Sequence, residues 1–115
     1  MSQTIEQLEE NYLKQKQQYE DKMDDLRVAK HKGEQILEEL AEASRYYIKT
    51  ITDDQSALQE GLRALNGLGD EFQDTCQNEI KKLDSELEEV ASDYQRNYQK
   101  LTEQIDKNEE EASQW

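Results

Sequence analysis

The chain has 115 residues, of which 33% are hydrophobic and 37% charged, with no proline and one cysteine. This composition excludes a thick globular core and favours one extended domain. The net charge of -14 disfavours binding to nucleic acid or anionic lipid, because both require clustered Lys or Arg on the protein. We therefore expect neither a nucleic-acid nor a membrane partner.

The first predicted element is a long helix over residues 4–50. Thr4 and Gln7 have capping-box spacing at its start. Apolar residues then recur mostly at steps of three, four or seven, which is typical of one face of an α-helix. The predicted seam of this helix consists of Ile5, Leu8, Tyr12, Tyr19, Met23, Leu26, Gly33, Leu37, Leu40, Tyr47 and Ile51.

A second set of apolar residues lies beside this seam between positions 36 and 51. A single hairpin partner covers only one face of a helix, so the second set predicts contact with a partner chain. The alternative is that these residues belong to a core within the chain itself. The predicted partner-binding residues are Ile36, Ala43, Tyr46 and Ile48.

Two further helices are predicted, a short one over 53–66 and a long one over 70–113. Thr52 and Gln55 have capping-box spacing for the short helix. The run Asn66-Gly67-Leu68-Gly69 predicts a break, because Asn and Gly adopt left-handed conformations readily at helix C-termini. The predicted seam of the last helix consists of Phe72, Cys76, Ile80, Leu83, Leu87, Val90, Tyr94, Tyr98, Leu101 and Ile105.

The two long helices have similar predicted lengths. We therefore predict an all-α fold, in which an elongated antiparallel helical hairpin resembles a coiled coil. The hairpin forms one domain over 1–115. The short helix would close its tip. In the alternative, the first helix is continuous from residue 4 to 66 and the chain reverses in a tighter turn at 66–69.

Irregular steps in the two seams predict how the helices are aligned. Such irregularities must match between partner helices. We therefore expect Tyr19 opposite Tyr98 and Met23 opposite Tyr94, an alignment in which paired residue numbers sum to 117.

Catalytic and metal-binding motifs are not found in the sequence. The single histidine, His31, has no Cys or second His nearby with which to form a metal site or a nucleophile and base pair. Cys76 is the single cysteine, so an internal disulfide is excluded and a packing role in the seam is expected. We expect no cofactor, no metal and no enzymatic activity.

The sequence predicts a cytoplasmic protein. No segment approaches the roughly 20 apolar residues that span a membrane. The first residues also lack the apolar centre of a signal peptide.

One part of the chain resembles a known family. A short, acidic, proline-free helical hairpin is similar to the small Trp-x-Gly-type proteins of bacterial type VII secretion, and most similar to the LXG-associated α-helical proteins of Gram-positive bacteria. The stretch that carries the resemblance runs from Phe72 through Leu83-Asp84-Ser85-Glu86-Leu87-Glu88-Glu89 to Tyr94 and Tyr98.

This resemblance implies a non-catalytic adaptor, or targeting chaperone, for a secreted toxin. Members of the family bind the helical N-terminal domain of an LXG toxin, often with a second small helical protein, and promote its export. The chain departs from the export pattern, because Trp115 is not followed by Gly and no aromatic residue has an acidic residue four positions later. The export signal would then belong to the partner, and any export of this chain would occur with that partner.

A different function is compatible with the same seams. The chain would then be a structural coiled coil, or a prefoldin-like holdase, that assembles with copies of itself as a homo-oligomer. The mass of the chain in solution, alone and with a candidate toxin, separates this alternative from the adaptor.

Overall fold

The structure, a computed structural model, describes residues 3–51 and 54–113. Within these ranges the chain forms two helices, α1 (Ile5–Ile51, 47 residues) and α2 (Gln55–Ser113, 59 residues). The two helices pack against each other as an antiparallel, coiled-coil-like hairpin. The predicted all-helical hairpin class is therefore confirmed.

The residues fall into two compact units, each of which contains a piece of both helices. The central unit is Met23–Lys81 and contains the end of α1 and the beginning of α2. The terminal unit combines α1 up to Lys22 with α2 from Lys82 onward. In each unit one apolar seam of α1 faces one apolar seam of α2.

The start of α1 is the predicted capping box. The backbone N–H of Thr4 donates to Gln7 Oε1 at 3.1 Å, and the backbone N–H of Gln7 donates to Thr4 Oγ1 at 3.1 Å. These two bonds satisfy donors that the first turn of a helix leaves without intrahelical partners. The bounds of α1 agree with the predicted helix to within one residue at each end.

The start of α2 is set by Asp54. Its Oδ1 accepts hydrogen bonds from the backbone N–H groups of Ser56 at 3.1 Å and Ala57 at 3.3 Å, as an N-cap carboxylate does. Thr52, which was predicted to cap a short helix, lies outside the described residues. The chain therefore reverses between the end of α1 at Ile51 and the start of α2 at Gln55.

The predicted break at residues 66–69 is wrong. The segments predicted as separate helices over 53–66 and 70–113 belong to the single helix α2, and no described glycine has a positive φ. The alternative reversal at 66–69 is excluded for the same reason. The seam continues through the run, with Leu65 and Phe72 half-buried on either side of it. Burial of such side chains is worth more than the roughly 1 kcal/mol that each helical glycine costs.

The predicted alignment of the helices is also wrong. In the terminal unit Tyr94 stacks on Tyr12, with ring centroids 4.3 Å apart and planes 10° apart, so the paired numbers sum to 106 and not to 117. Tyr98 therefore cannot lie opposite Tyr19, and the place assigned to Met23 beside Tyr94 is taken by Tyr12. The reason is the position of the reversal, which lies between Ile51 and Gln55 and not near Leu58.

The central unit has the same alignment by independent contacts. Lys30 Nζ donates to Gln77 Oε1 at 3.3 Å, and Gln73 Nε2 donates to Glu34 Oε1 at 2.9 Å. A side chain added at Gly69 would meet the Cδ1 atom of Leu37 at 3.4 Å, so these two residues lie at the same level. Polar side chains thus bridge the helices where the seam lacks large apolar residues.

The buried core is thin. Among the described residues, the apolar side chains that are buried are Leu8, Met23, Cys76 and Leu83. Most other seam residues are half-buried. A core of this size leaves large apolar side chains at the surface. The positions of these exposed side chains identify candidate binding surfaces.

Candidate partner-binding face

The seam of α1 takes a different course from the predicted one after Leu37. The half-buried positions continue at Ala41, Ser44 and Ile48. Leu40 and Tyr47, which were predicted to lie in the seam, are instead 48% and 60% exposed. The helix keeps its steps of four, three and four at positions 37, 41, 44 and 48, so small residues enter the interface and larger ones turn outward.

The four predicted partner-binding residues therefore fall into an exposed group and one half-buried residue. Ile36 and Tyr46 are 56% and 67% exposed, and Ala43 is also exposed. Ile48 is half-buried on the seam side and does not share their surface. Tyr46 packs edge-on against Tyr47, with ring centroids 5.6 Å apart.

Two more predicted seam residues, Ile51 and Ile105, are 77% and 44% exposed, whereas most of the remaining ones lie close to where the sequence places them. Met23 and Leu83 are buried, and Tyr98, at 38% exposed, is at the margin of the interface. The others are half-buried: Tyr19, Leu26, Leu37, Ile80, Leu87, Val90, Tyr94 and Leu101.

Eight exposed residues of the central unit that are apolar or glycine share one side of the hairpin, whereas the exposed Val28 and Tyr46 lie off that side. Each of the eight lies one position before a seam residue of its own helix. In an antiparallel pair, the residue just before a seam position on one helix and the residue just before a seam position on the other helix point to the same side of the pair. The reason is that the two chains run in opposite directions, so that one helix turns clockwise and the other counterclockwise along its chain when both are viewed from the same end. We call this surface the apolar flank. Its members are all exposed: Ile36, Leu40, Ala43 and Tyr47 on α1, and Ala57, Gly61, Ala64 and Leu68 on α2.

The opposite side of the central unit is polar. Its residues lie one position after the seam and form the polar flank. They are also exposed: Glu38, Glu42, Arg45 and Lys49 on α1, and Gln59, Arg63, Asn66 and Asp70 on α2. The same backbone thus presents two sides with opposite chemistry, and only the apolar flank has the character of a surface that another chain covers.

Sequence reasoning found the α1 half of the apolar flank and missed the α2 half. Leu68, which is 56% exposed, was assigned to a turn. Once α2 is continuous, Ala57, Gly61, Ala64 and Leu68 follow each other at steps of four, three and four. That spacing was visible in the sequence, but the assumed break at 66–69 divided it.

A cluster of tyrosines in the terminal unit forms the second notable surface feature. Tyr98 lies beside Tyr94, with ring centroids 6.0 Å apart, and both line a shallow cleft of about 290 Å³ together with Glu9. Partial burial raises the pKa of the Tyr94 hydroxyl, and the Glu9 carboxylate, Tyr98 and Tyr12 raise it further.

Other chemistry is sparse in the part of the chain that the structure describes. His31 is exposed, and its Nε2 atom lies 3.4 Å from Nε2 of the Gln35 amide. Across residues 3–51 and 54–113, no group of three or more His, Cys, Asp or Glu side chains is placed to hold a metal ion. Neither described helix has an apolar segment long enough to cross a membrane.

The apolar flank is thus the surface of the central unit with the strongest binding character. Comparison with known proteins identifies no relative of this chain. No protein-family model, no curated protein and no solved structure matches the chain.

Proposed function

We propose that the chain is a non-catalytic adaptor, or targeting chaperone, that binds the helical N-terminal domain of a type VII secretion LXG toxin and promotes its export. The observation that carries this proposal is the apolar flank. Ile36, Leu40, Tyr47 and Leu68 each expose about half or more of their surface there. A helix laid along the flank would bury these side chains, as amphipathic helices do in apolar grooves.

The chemistry of the flank fits a helical partner better than a small molecule. It is built from two long helices and extends over about three turns of each, without an enclosed cavity. Helical toxin domains supply long apolar stripes, which match a surface of this kind. The resemblance to LXG-associated proteins in the sequence of α2 selects this class of partner among helical proteins.

The experiment is co-expression of the chain with the helical domain of a candidate LXG toxin, followed by purification and mass measurement of the complex. Leu68→Glu, on the apolar flank, should weaken the complex roughly tenfold or more, because it places a charge in a desolvated interface. Asn66→Glu, two residues away on the polar flank, adds the same charge and should leave the affinity unchanged. Equal effects of the two variants would contradict the assignment of this face.

Two further outcomes bear on the proposal. High salt should leave the complex assembled, since apolar burial is not screened while exposed ion pairs contribute under about 1 kcal/mol each. In a producing cell, deletion of the chain should reduce toxin secretion and leave the activity of the purified toxin unchanged. Normal secretion in the deletion strain would rule out the adaptor role.

A further inference from the structure

We propose that the cleft beside Tyr94 and Tyr98 in the terminal unit, the tyrosine cleft, binds the guanidinium group of an arginine side chain on a partner protein. Five residues line this cleft of about 290 Å³: Glu9, Tyr94, Gln95, Tyr98 and Gln99. Glu9, Gln95 and Gln99 each lie one position after a predicted seam residue of their helix, so they share one side of the terminal unit. The lining thus combines two aromatic rings, one carboxylate and two amides.

The two tyrosine rings provide the first attraction for a cation. The ring centroids of Tyr94 and Tyr98 are 6.0 Å apart, and the planes are tilted by 51°. A cation within about 6 Å of a tyrosine ring centroid is attracted by the negative face of the ring. Tyr12 stacks on Tyr94 at 4.3 Å, which holds that ring in place before a ligand arrives. A guanidinium group in the cleft would therefore lie beside two electron-rich rings, one of which is already fixed.

The polar groups of the cleft select guanidinium among cations. Burial and then the Glu9 carboxylate raise the pKa of the Tyr94 hydroxyl, so the negative charge of Glu9 lies close to the rings. A carboxylate can accept two parallel N–H bonds from guanidinium, and the amide oxygens of Gln95 and Gln99 can accept others. Guanidinium is also planar and more weakly hydrated than ammonium, so it stacks on aromatic rings more readily. The lining therefore fits arginine better than lysine.

The chain does not supply this cation from its own described residues. Within residues 3–51 and 54–113, no lysine or arginine lines the tyrosine cleft. The nearby Arg96 pairs instead with Asp93. Elsewhere in the terminal unit a tyrosine does have a cation from its own chain, because Lys22 Nζ lies 5.8 Å from the ring centroid of Tyr19. The rings of the tyrosine cleft are thus left to a cation from another molecule.

The charge and shape of the terminal unit indicate where that cation comes from. Met1–Lys22 and Lys82–Trp115 contain 15 acidic and 7 basic residues, a net charge of -8, which attracts cations. The cleft is shallow, so it covers the end of a side chain and leaves the rest of the ligand outside. No lining residue is a cation that could pair with the α-carboxylate of a free amino acid. An arginine that projects from a polypeptide fits these conditions.

This inference does not rest on the proposed function. The tyrosine cleft belongs to the terminal unit, whereas the apolar flank belongs to the central unit. A chain that binds arginine but no toxin domain would overturn only the adaptor. A toxin complex formed by a chain whose cleft binds no arginine would overturn only the present inference.

The first test is an NMR titration of the purified chain with Nα-acetyl-arginine amide, which carries an arginine side chain without free backbone charges. The amide signals of residues 9 and 94–99 should shift, and the δ-methylene protons of the ligand should move upfield in the ring currents of the tyrosines. A shallow site binds one side chain weakly, so we expect a millimolar dissociation constant that rises with added salt. No localised shift at millimolar ligand concentrations would overturn the proposal.

Four related probes test the chemistry. Nα-acetyl-citrulline amide has nearly the same shape without the charge and should cause no localised shift. Nα-acetyl-lysine amide and tetramethylammonium should bind several-fold more weakly, since neither can form two parallel hydrogen bonds to a carboxylate. Free arginine should bind no more tightly than the blocked form. Binding of any of these four probes more tightly than the blocked arginine would overturn the assignment of the ligand.

Two pairs of variants test the location of the site. Glu9→Gln should weaken arginine binding about tenfold, because it removes the carboxylate but keeps the shape. Glu10→Gln removes the same charge from an exposed ion pair with Lys14 and should leave the affinity nearly unchanged. Tyr98→Leu should also weaken binding, whereas Tyr46→Leu, a change of an exposed tyrosine in the central unit, should not. Equal effects within either pair would overturn the proposal, because general charge or any exposed tyrosine would then account for binding.

Discussion

Gly33 shows how a single residue aligns the two helices. A side chain at this position would have its first carbon 2.4 Å from Cε1 and 2.7 Å from Cζ of Phe72. These distances are far below van der Waals contact, so the aromatic ring occupies the notch that glycine leaves. The notch joins one position on α1 to one on α2 and thereby opposes slippage of the central unit.

We predict that Gly33→Ala destabilises the protein despite alanine's higher helix propensity. Overpacking typically costs 1–3 kcal/mol, against about 1 kcal/mol gained from propensity, so a net loss of about 1 kcal/mol is expected. Urea unfolding monitored by circular dichroism measures it. In the background of Phe72→Leu the same change should become neutral or stabilising. An equal loss in both backgrounds would show that the ring does not fill the notch.

Tyr94 makes the stability of the terminal unit depend on pH in the alkaline range. The pKa of its hydroxyl is raised above the ordinary value of 10.0 by burial and by the Glu9 carboxylate, so the folded state holds the proton more tightly than the unfolded chain. The resulting stabilisation is present below about pH 10 and is lost as pH rises through the folded-state pKa.

We expect Tyr94→Phe to reduce the loss of stability between pH 8 and pH 11, because the group that must ionise is removed while the stacking on Tyr12 remains. Urea midpoints at the two pH values give the difference. Tyr46→Phe, which changes a tyrosine in the central unit that is 67% exposed, is the control and should behave like wild type. If wild type and both variants lost the same stability between the two pH values, a group other than Tyr94 would be responsible for the loss.

At the scale of the element, α2 is the decisive feature because it is continuous through a run that usually ends helices. Two glycines within three residues weaken a helix, yet the seam positions before and after the run are both occupied by large apolar side chains. Glycine is compatible with helical and left-handed backbone alike. Tertiary packing therefore decides which one forms.

Gly67→Ala distinguishes the helix from a turn. In the continuous helix the added methyl group meets nothing within 4 Å, so we predict that unfolding becomes less favourable by up to about 1 kcal/mol. In a left-handed turn the same change would destabilise the protein. The thermal midpoint, together with the helical signal at 222 nm, measures the change, and a lower midpoint would argue against the continuous helix.

At the scale of the whole molecule, the chain combines a thin core with two different sides. The central unit exposes apolar residues on one flank and charged or polar residues on the other. Neither flank is required for the two helices to pack, since both lie outside the seam. The apolar flank is therefore the surface on which the proposed function rests.

Much of this organisation was determined by the sequence alone. Helical periodicity, the Thr4 and Gln7 capping box and the absence of proline depend on residues within a few positions of each other. They predicted the class of the fold, most of the residues of both seams, and a position outside the seam for Ile36, Ala43 and Tyr46. Local interactions of this kind can be identified without knowing what lies opposite.

Only the tertiary structure decided where the chain reverses, how the helices align and which side Leu40, Tyr47 and Ile48 take. The alignment depends on contacts between residues that are distant in sequence, such as Tyr12 with Tyr94 and Gly33 with Phe72. Neighbouring alignments give similar apolar patterns, and a moved reversal shifts every pairing along the helices. The α2 half of the apolar flank became visible only after that reversal was placed before Gln55, because a continuous helix brings Ala57, Gly61, Ala64 and Leu68 to one side.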